Sequence, residues 1–101
     1  MLIENAIKYG RENTRIDIHV SAEDQTAILK VSNLSDFPID PIHCFDRGSR
    51  YAADSAEGSG YGLFLAREIV QAHGGTIHCE RNGSQVIMIA SLPLQTVIDF
   101  T

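Results

Sequence analysis

Residues 58–62, Gly58-Ser59-Gly60-Tyr61-Gly62, place three glycines at alternate positions just ahead of an apolar-periodic run that begins at Leu63. Glycine lets successive backbone amides turn toward one point with no Cβ in the way. A helix opening at Leu63 would add the positive end of its dipole. The arrangement suits an anion, and a phosphate above all. By itself GxGxG is shared with plain flexible loops that precede helices, so it needs a second signal. A long loop, not a strand, leads into it, which sets aside the dinucleotide-binding fingerprint. The Gly-Lys-Ser/Thr of a P-loop is missing as well.

The second signal lies at the other end of the chain. Glu4, Asn5 and Lys8 bring a carboxylate, a neutral carbonyl oxygen and an ammonium within about one helical turn. Carboxylate and carbonyl suit hard Mg²⁺, which keeps most of its waters and bridges to phosphates. Lys8 can pair with a phosphate oxygen. A solvated helix face carries the same residue types, so this signal too is incomplete alone. Cys44 and Cys79 share no CxxC spacing and read as two reduced thiols, neither a metal site nor a disulfide framework.

The elements that must hold these groups follow from periodicity. Residues 2–9 form a helix with Leu2, Ile3, Ala6 and Ile7 on its apolar face and Glu4, Asn5 and Lys8 opposite. No N-cap precedes Leu2, so the reading expects a helix trimmed at its start. Residues 15–20 alternate as a half-buried strand, and a polar turn at Ala22–Gln25 leads to a second strand, Thr26 to Ser32. From Asn33 to Gly60 only a helical turn near Ile42–Phe45 is expected, and so long an irregular stretch points to a lid or binding loop. A helix over Leu63–His73 turns Leu65, Ala66, Ile69, Val70 and Ala72 inward, with Gly74 as its left-handed stop. Strands at about Thr76–Glu80 and Gln85–Leu92 follow, joined by Asn82-Gly83 and closed by Pro93. The order predicts an α/β (α+β) two-layer sandwich with helices on one face of a largely antiparallel, mixed sheet.

Composition bounds the rest. The 101 residues suffice for one small domain, and 44% apolar content excludes a disordered chain. No apolar run approaches a membrane span or signal peptide. A net charge of -5 argues against non-specific nucleic-acid binding without opposing a phosphate held by amides and a metal ion.

Taken together, the motifs resemble those of the histidine-kinase-like ATPases, the GHKL superfamily. Residues 2–9, Leu-Ile-Glu-Asn-Ala-Ile-Lys-Tyr, are similar to its asparagine box, and Phe45-Asp46-Arg47 to its phenylalanine box. Gly58 to Leu63, followed by Ile69-Val70 and His73-Gly74-Gly75, resembles the second glycine box and its helix. The boxes come in family order over residues 2 to about 93, and the His-Gly-Gly and Phe-Asp-Arg groups favour sensor histidine kinases.

The resemblance implies a domain over 1–94, N-terminally truncated, with an ATP lid at about 46–60 and a tail at 95–101. It implies ATP and Mg²⁺ as cofactors, Asn5 as the Mg²⁺ ligand and Glu4 as the group that polarises the reacting atoms. Lys8 would touch phosphate, and Tyr9 would lie near sugar or base. Arg47 and Arg50 would be the lid's cations, and Gly58, Ser59, Gly60, Tyr61, Gly62 and Leu63 the phosphate-binding run. Phe45 would anchor the lid in apolar surface. The first glycine box usually carries an aspartate that reads adenine and then two glycines. Here it reads Val31 to Ile39, with Asn33 as the candidate adenine reader, Asp36 as its rival, and Ile39 in the nucleotide site. Phe64 stands where the family has a small residue.

The implied function is the catalytic domain of a two-component sensor kinase, donating the γ-phosphate of ATP to a histidine elsewhere. Its partners would be a dimerisation and phosphoacceptor domain and, indirectly, a response regulator, with no nucleic-acid or membrane contact. The expected location is cytoplasmic, with any anchor belonging to the parent kinase. None of His19, His43, His73 and His78 sits in a phosphoacceptor helix context, so the chain is not expected to phosphorylate itself. The rivals are a nucleotide-holding or docking pseudokinase module and an anti-sigma-factor-like serine kinase.

Overall fold

A computed structural model of the chain describes residues 2–47 and 62–94. The expected lid and the tail at 95–101 therefore lie almost wholly outside the described residues, as do Arg50, Gly58, Ser59, Gly60 and Tyr61.

The described residues form six elements, in the order α1 (Leu2–Tyr9), β1 (Asp17–Glu23), β2 (Thr26–Leu34), α2 (Gly62–Ala72), β3 (Thr76–Asn82) and β4 (Gln85–Pro93). The strands form one sheet in the order β1-β2-β4-β3, and every pairing is antiparallel. The parallel component of the expected mixed sheet is not found among the described residues. Both helices pack on this sheet, α1 against β2 and α2 against β3 and β4. Val31, Val86 and Met88 are almost fully buried between the layers. They join Ile39, Cys44, Phe45, Leu63 and Cys79 in the core, which places Phe45 in apolar surface. Both cysteines are free, and a thiol hydrogen bond to Cys79 together with burial pushes the Cys44 thiol up, so that it stays neutral.

Several local expectations shift. The first strand starts two residues late and is not half-buried: as the sheet's edge it leaves Ile18 51% and Val20 69% exposed. Its hairpin turns at Asp24-Gln25 alone, where Asp24 takes a left-handed φ of 54°. The second strand runs on through Asn33 and Leu34, because Leu34 pairs with Gln85 at the far end of β4. The β3–β4 turn slides by one residue to Gly83-Ser84, with Asn82 still paired to Gln85 and Gly83 at φ 60°.

Helix faces shift too. In α2 the buried stripe is Leu63 and Ala66 with half-buried Val70, an i, i+3, i+7 row. Leu65 and Ile69 lie one position off that row and are nearly half exposed. In α1 the inward row is Leu2, Ala6 and Tyr9, and Ile3 and Ile7 are exposed on its flank. Asn5 is consequently half-buried beside that row and not on the opposite face. Gly74 ends α2 at φ 78°, as its sequence position predicts.

Candidate functional site

The end of α1, the end of β2 and the loop after it are tied together by short polar contacts. No glycine occurs from Arg11 to Arg47, so hydrogen bonds must shape this loop. Ser35, with 0% exposure, donates from Oγ to the Tyr9 carbonyl at 2.6 Å and accepts from the Phe37 amide at 3.1 Å. Its own amide donates to Ser84 O at 2.8 Å, and the Arg11 amide donates to Leu34 O at 2.7 Å. Gly10 completes the closure, since a Cβ there would overlap the Ala6 carbonyl and press on Asn33 Nδ2 at 3.3 Å. The loop thus carries the Phe37 ring to 4.5 Å from the Tyr9 ring, and Lys8 Nζ lies 5.4 Å from the same tyrosine.

Asn33, near the end of β2 and beside Gly10, is 7% exposed. Its Nδ2 donates to Leu34 O at 3.3 Å. Among the described residues no donor reaches its Oδ1, which leaves a buried acceptor unsatisfied. Buried polar atoms are seldom left so without a ligand or water to meet them.

Asp36, the rival reader, is already engaged. Arg11 grips its carboxylate with two nitrogens, at 2.6 and 3.1 Å, and also reaches Ser84 Oγ at 3.1 Å. That hydrogen bond holds the Asp36 carboxyl below the ordinary carboxylate range. A depressed carboxylate adds stability above its unfolded pKa, about 4, and the gain fades as pH falls through the lower folded value. Urea midpoints of Asp36→Asn and wild type should therefore differ slightly at pH 7 and converge at about pH 2. A gap that persists in acid would show that the pair is not its source.

Asp40 organises the next turn: it accepts from the Ile42 amide at 2.9 Å and meets His43 Nδ1 at 2.8 Å. Cys44 N then closes onto Asp40 O at 2.9 Å, the helical turn expected near Ile42–Phe45. Beyond it Arg47 lies over the Phe64 ring, 5.9 Å from its centroid, so the bulky residue at 64 receives a cation from the start of the expected lid. At the start of α2, a Cβ on Gly62 would meet no described atom within 4 Å. Packing among the described residues therefore does not account for that glycine.

The structure brings Lys8, Tyr9, Asn33 and the loop to Ile39 together, while Glu4 stays exposed one turn away on α1. Sequence reasoning missed Arg11 and Arg81 and the contacts of Ser35, whose long-range side-chain partners lie 25 to 73 residues away. No local pattern announces such contacts. No group of three or more His, Cys, Asp or Glu side chains able to hold a metal occurs among the described residues. A Mg²⁺ held mainly by phosphates and water, with Asn5 as one ligand, needs no such group. No described helix is long and apolar enough to cross a membrane.

Residues 1–96 match the model of the histidine kinase-, DNA gyrase B-, and HSP90-like ATPases. The probable sensor protein PcoS of Escherichia coli is 34% identical over 93 residues, 85% of this chain and 20% of that protein. The sensor protein VanS of Enterococcus faecium is 28% identical over 96 residues, 91% of this chain and 25% of VanS. The chain thus spans about a fifth to a quarter of these relatives' lengths. Among solved structures, the catalytic domain of the histidine kinase ThkA superposes with a TM-score of 0.75 at 28% identity, over 91% of this chain and 61% of that one. The mycobacterial sensor histidine kinase MprB gives a TM-score of 0.76 at 24% identity, over 91% of this chain and 64% of MprB, and bears on the fold alone.

Proposed function

We infer, because this chain belongs to the family of histidine kinase-, DNA gyrase B-, and HSP90-like ATPases, that it is the ATP-binding catalytic domain of a sensor histidine kinase. In this reading it holds Mg-ATP and presents the γ-phosphate to a histidine on a separate dimerisation domain. Bound Mg-ATP supplies the phosphoryl group and neutralises its charge; positioning is the protein's share. Asn5 would hold the metal through its carbonyl, Glu4 would polarise the reacting groups, and Lys8 would meet a phosphate oxygen. Gly62 and Leu63, with residues 58–61, would offer backbone amides to the phosphates. Tyr9 and Ile39 would border the base and sugar, and Arg47 and Arg50 would supply positive charge.

The observation that carries the reading is the buried, unsatisfied Oδ1 of Asn33. Adenine offers an amino donor at its sixth position, where guanine offers a carbonyl. An asparagine can accept from the former, but by flipping it can also donate to the latter. An aspartate would accept a charge-assisted bond and repel guanine. The difference is on the order of 1 kcal/mol, roughly fivefold in affinity. Titration with ATP and GTP, with and without Mg²⁺, should show weak ATP binding and blunted selection against GTP. Asn33→Asp should restore both. If Asn33→Asp changes neither while Asp36→Ala abolishes ATP binding, the base is read by Asp36. If wild type binds no nucleotide at millimolar concentration, the docking-module reading replaces this one; Asn33 in place of the usual aspartate is what favours it.

A further inference from the structure

The guanidinium of Arg81 on β3 lies at the centre of the loop that follows Asn33. Its Nη2 donates to Ser35 O at 3.2 Å, and its Nη1 to Phe37 O at 2.7 Å and, more weakly, to Ile39 O at 3.4 Å. Its Nε donates to Gly83 O at 2.9 Å, which fixes the fork to its own hairpin. Three carbonyls at alternate positions thus aim their negative ends at one point. Without a cation they would repel one another, and only Phe37 O, which also accepts from the Ile39 amide at 2.8 Å, would keep a donor among the described residues. Arginine can serve all of them from one rigid plane. Lysine is a point charge on a flexible stem and cannot reproduce the fork.

What this geometry holds is the path from Asn33 to Ile39. It carries the Phe37 ring onto Tyr9, seats Ile39 in the core at 6% exposure, and keeps Ser35 on the end of α1. We propose that Arg81 is a positioning residue for the base end of the nucleotide site, acting through the loop 35–39 without touching the ligand. The proposal rests on the nucleotide-binding reading above. It assigns Arg81 an effect on the base and none on the phosphates, which belong to α1 and the start of α2.

The test compares ATP with Mg-tripolyphosphate, which has the phosphates and no base, on wild type, Arg81→Lys and Arg81→Gln. Both variants should lose at least about tenfold in ATP affinity and hold tripolyphosphate within about twofold, with unchanged far-UV circular dichroism. ATP binding like wild type in Arg81→Lys overturns the proposal while leaving the functional reading intact. An equal loss for both ligands overturns it too, since that marks general damage. Wild type that binds tripolyphosphate but not ATP overturns both the proposal and the reading it rests on. A measurement on wild type needs no folded variant: the Arg81 Nη protons should give separate, slowly exchanging NMR signals. One averaged, fast-exchanging signal would mean the fork is not engaged and the proposal fails.

Discussion

Mixed with a purified dimerisation domain that carries its phosphoacceptor histidine, the Asn5→Ala chain should transfer roughly 100-fold less acid-labile phosphate from ATP than wild type. Metal ligation is worth several kcal/mol where charge develops in phosphoryl transfer, and Asn5 is the ligand proposed. Alanine is the best helix former, and Asn5 is only half-buried beside the inward row of α1, so the fold should survive the change. The loss should therefore appear in Mg²⁺-dependent turnover with little change in melting temperature or in metal-free nucleotide binding. Equal loss with and without metal would mean that Asn5 is not a metal ligand. Wild-type chain on its own should stay unlabelled, and strong labelling without the added domain would overturn the assignment of the acceptor to another domain.

Gly75→Ala should be among the most damaging single-methyl additions, costing on the order of 2–3 kcal/mol and lowering the melting temperature by roughly 10–20 °C. A Cβ at this position would overlap the backbone carbonyl of Ser91, and it would also stand 2.9 Å from Leu92 Cδ2 and 3.1 Å from Val70 Cγ1. The Gly75 amide is tied to Val70 O at 2.9 Å, so the backbone has nowhere to retreat. Gly74, its neighbour, makes the control. There the φ of 78° is the difficulty, with a Cβ only in ordinary contact with Pro93 Cγ at 3.5 Å. Gly74→Ala should cost about 1 kcal/mol. Thermal melts that reverse this order would contradict the close approach of α2's end to β4.

The order of the described elements, and the nearness of Lys8 and Tyr9 to the loop after Asn33 in the candidate site, were legible in sequence because they rest on local physics. Alternation gave the strands, a glycine after an amphipathic run gave the end of α2, and the polar residues of α1 gave the candidate metal and phosphate ligands. Errors arose where a residue's environment depends on distant chain. Ile18 and Val20 alternate like a buried strand, yet β1 lies at the sheet edge. Asp36 looks like a free acceptor until Arg11 is brought beside it. Ser35 and Arg81 look ordinary because their partners, Tyr9 and the carbonyls of 35–39, are set by the packing of α1 and β3 around the end of β2. Leu65 and Ile69 were misplaced by one position of the helical period, an error that only the actual contact line with the sheet can correct.

The central ladder has an evolutionary consequence. Each outer strand joins its inner neighbour by a two-residue turn, so the sheet is two local hairpins. These are stitched together by nine facing residue pairs between β2 and β4. The described stretch from Ser35 to Arg47 supplies no strand to that seam. A single-residue slip in the β2–β4 register would turn Asn33 to the wrong face. Selection on the seam is therefore selection on register: a one-residue insertion or deletion in either inner strand would change the face that Asn33 presents.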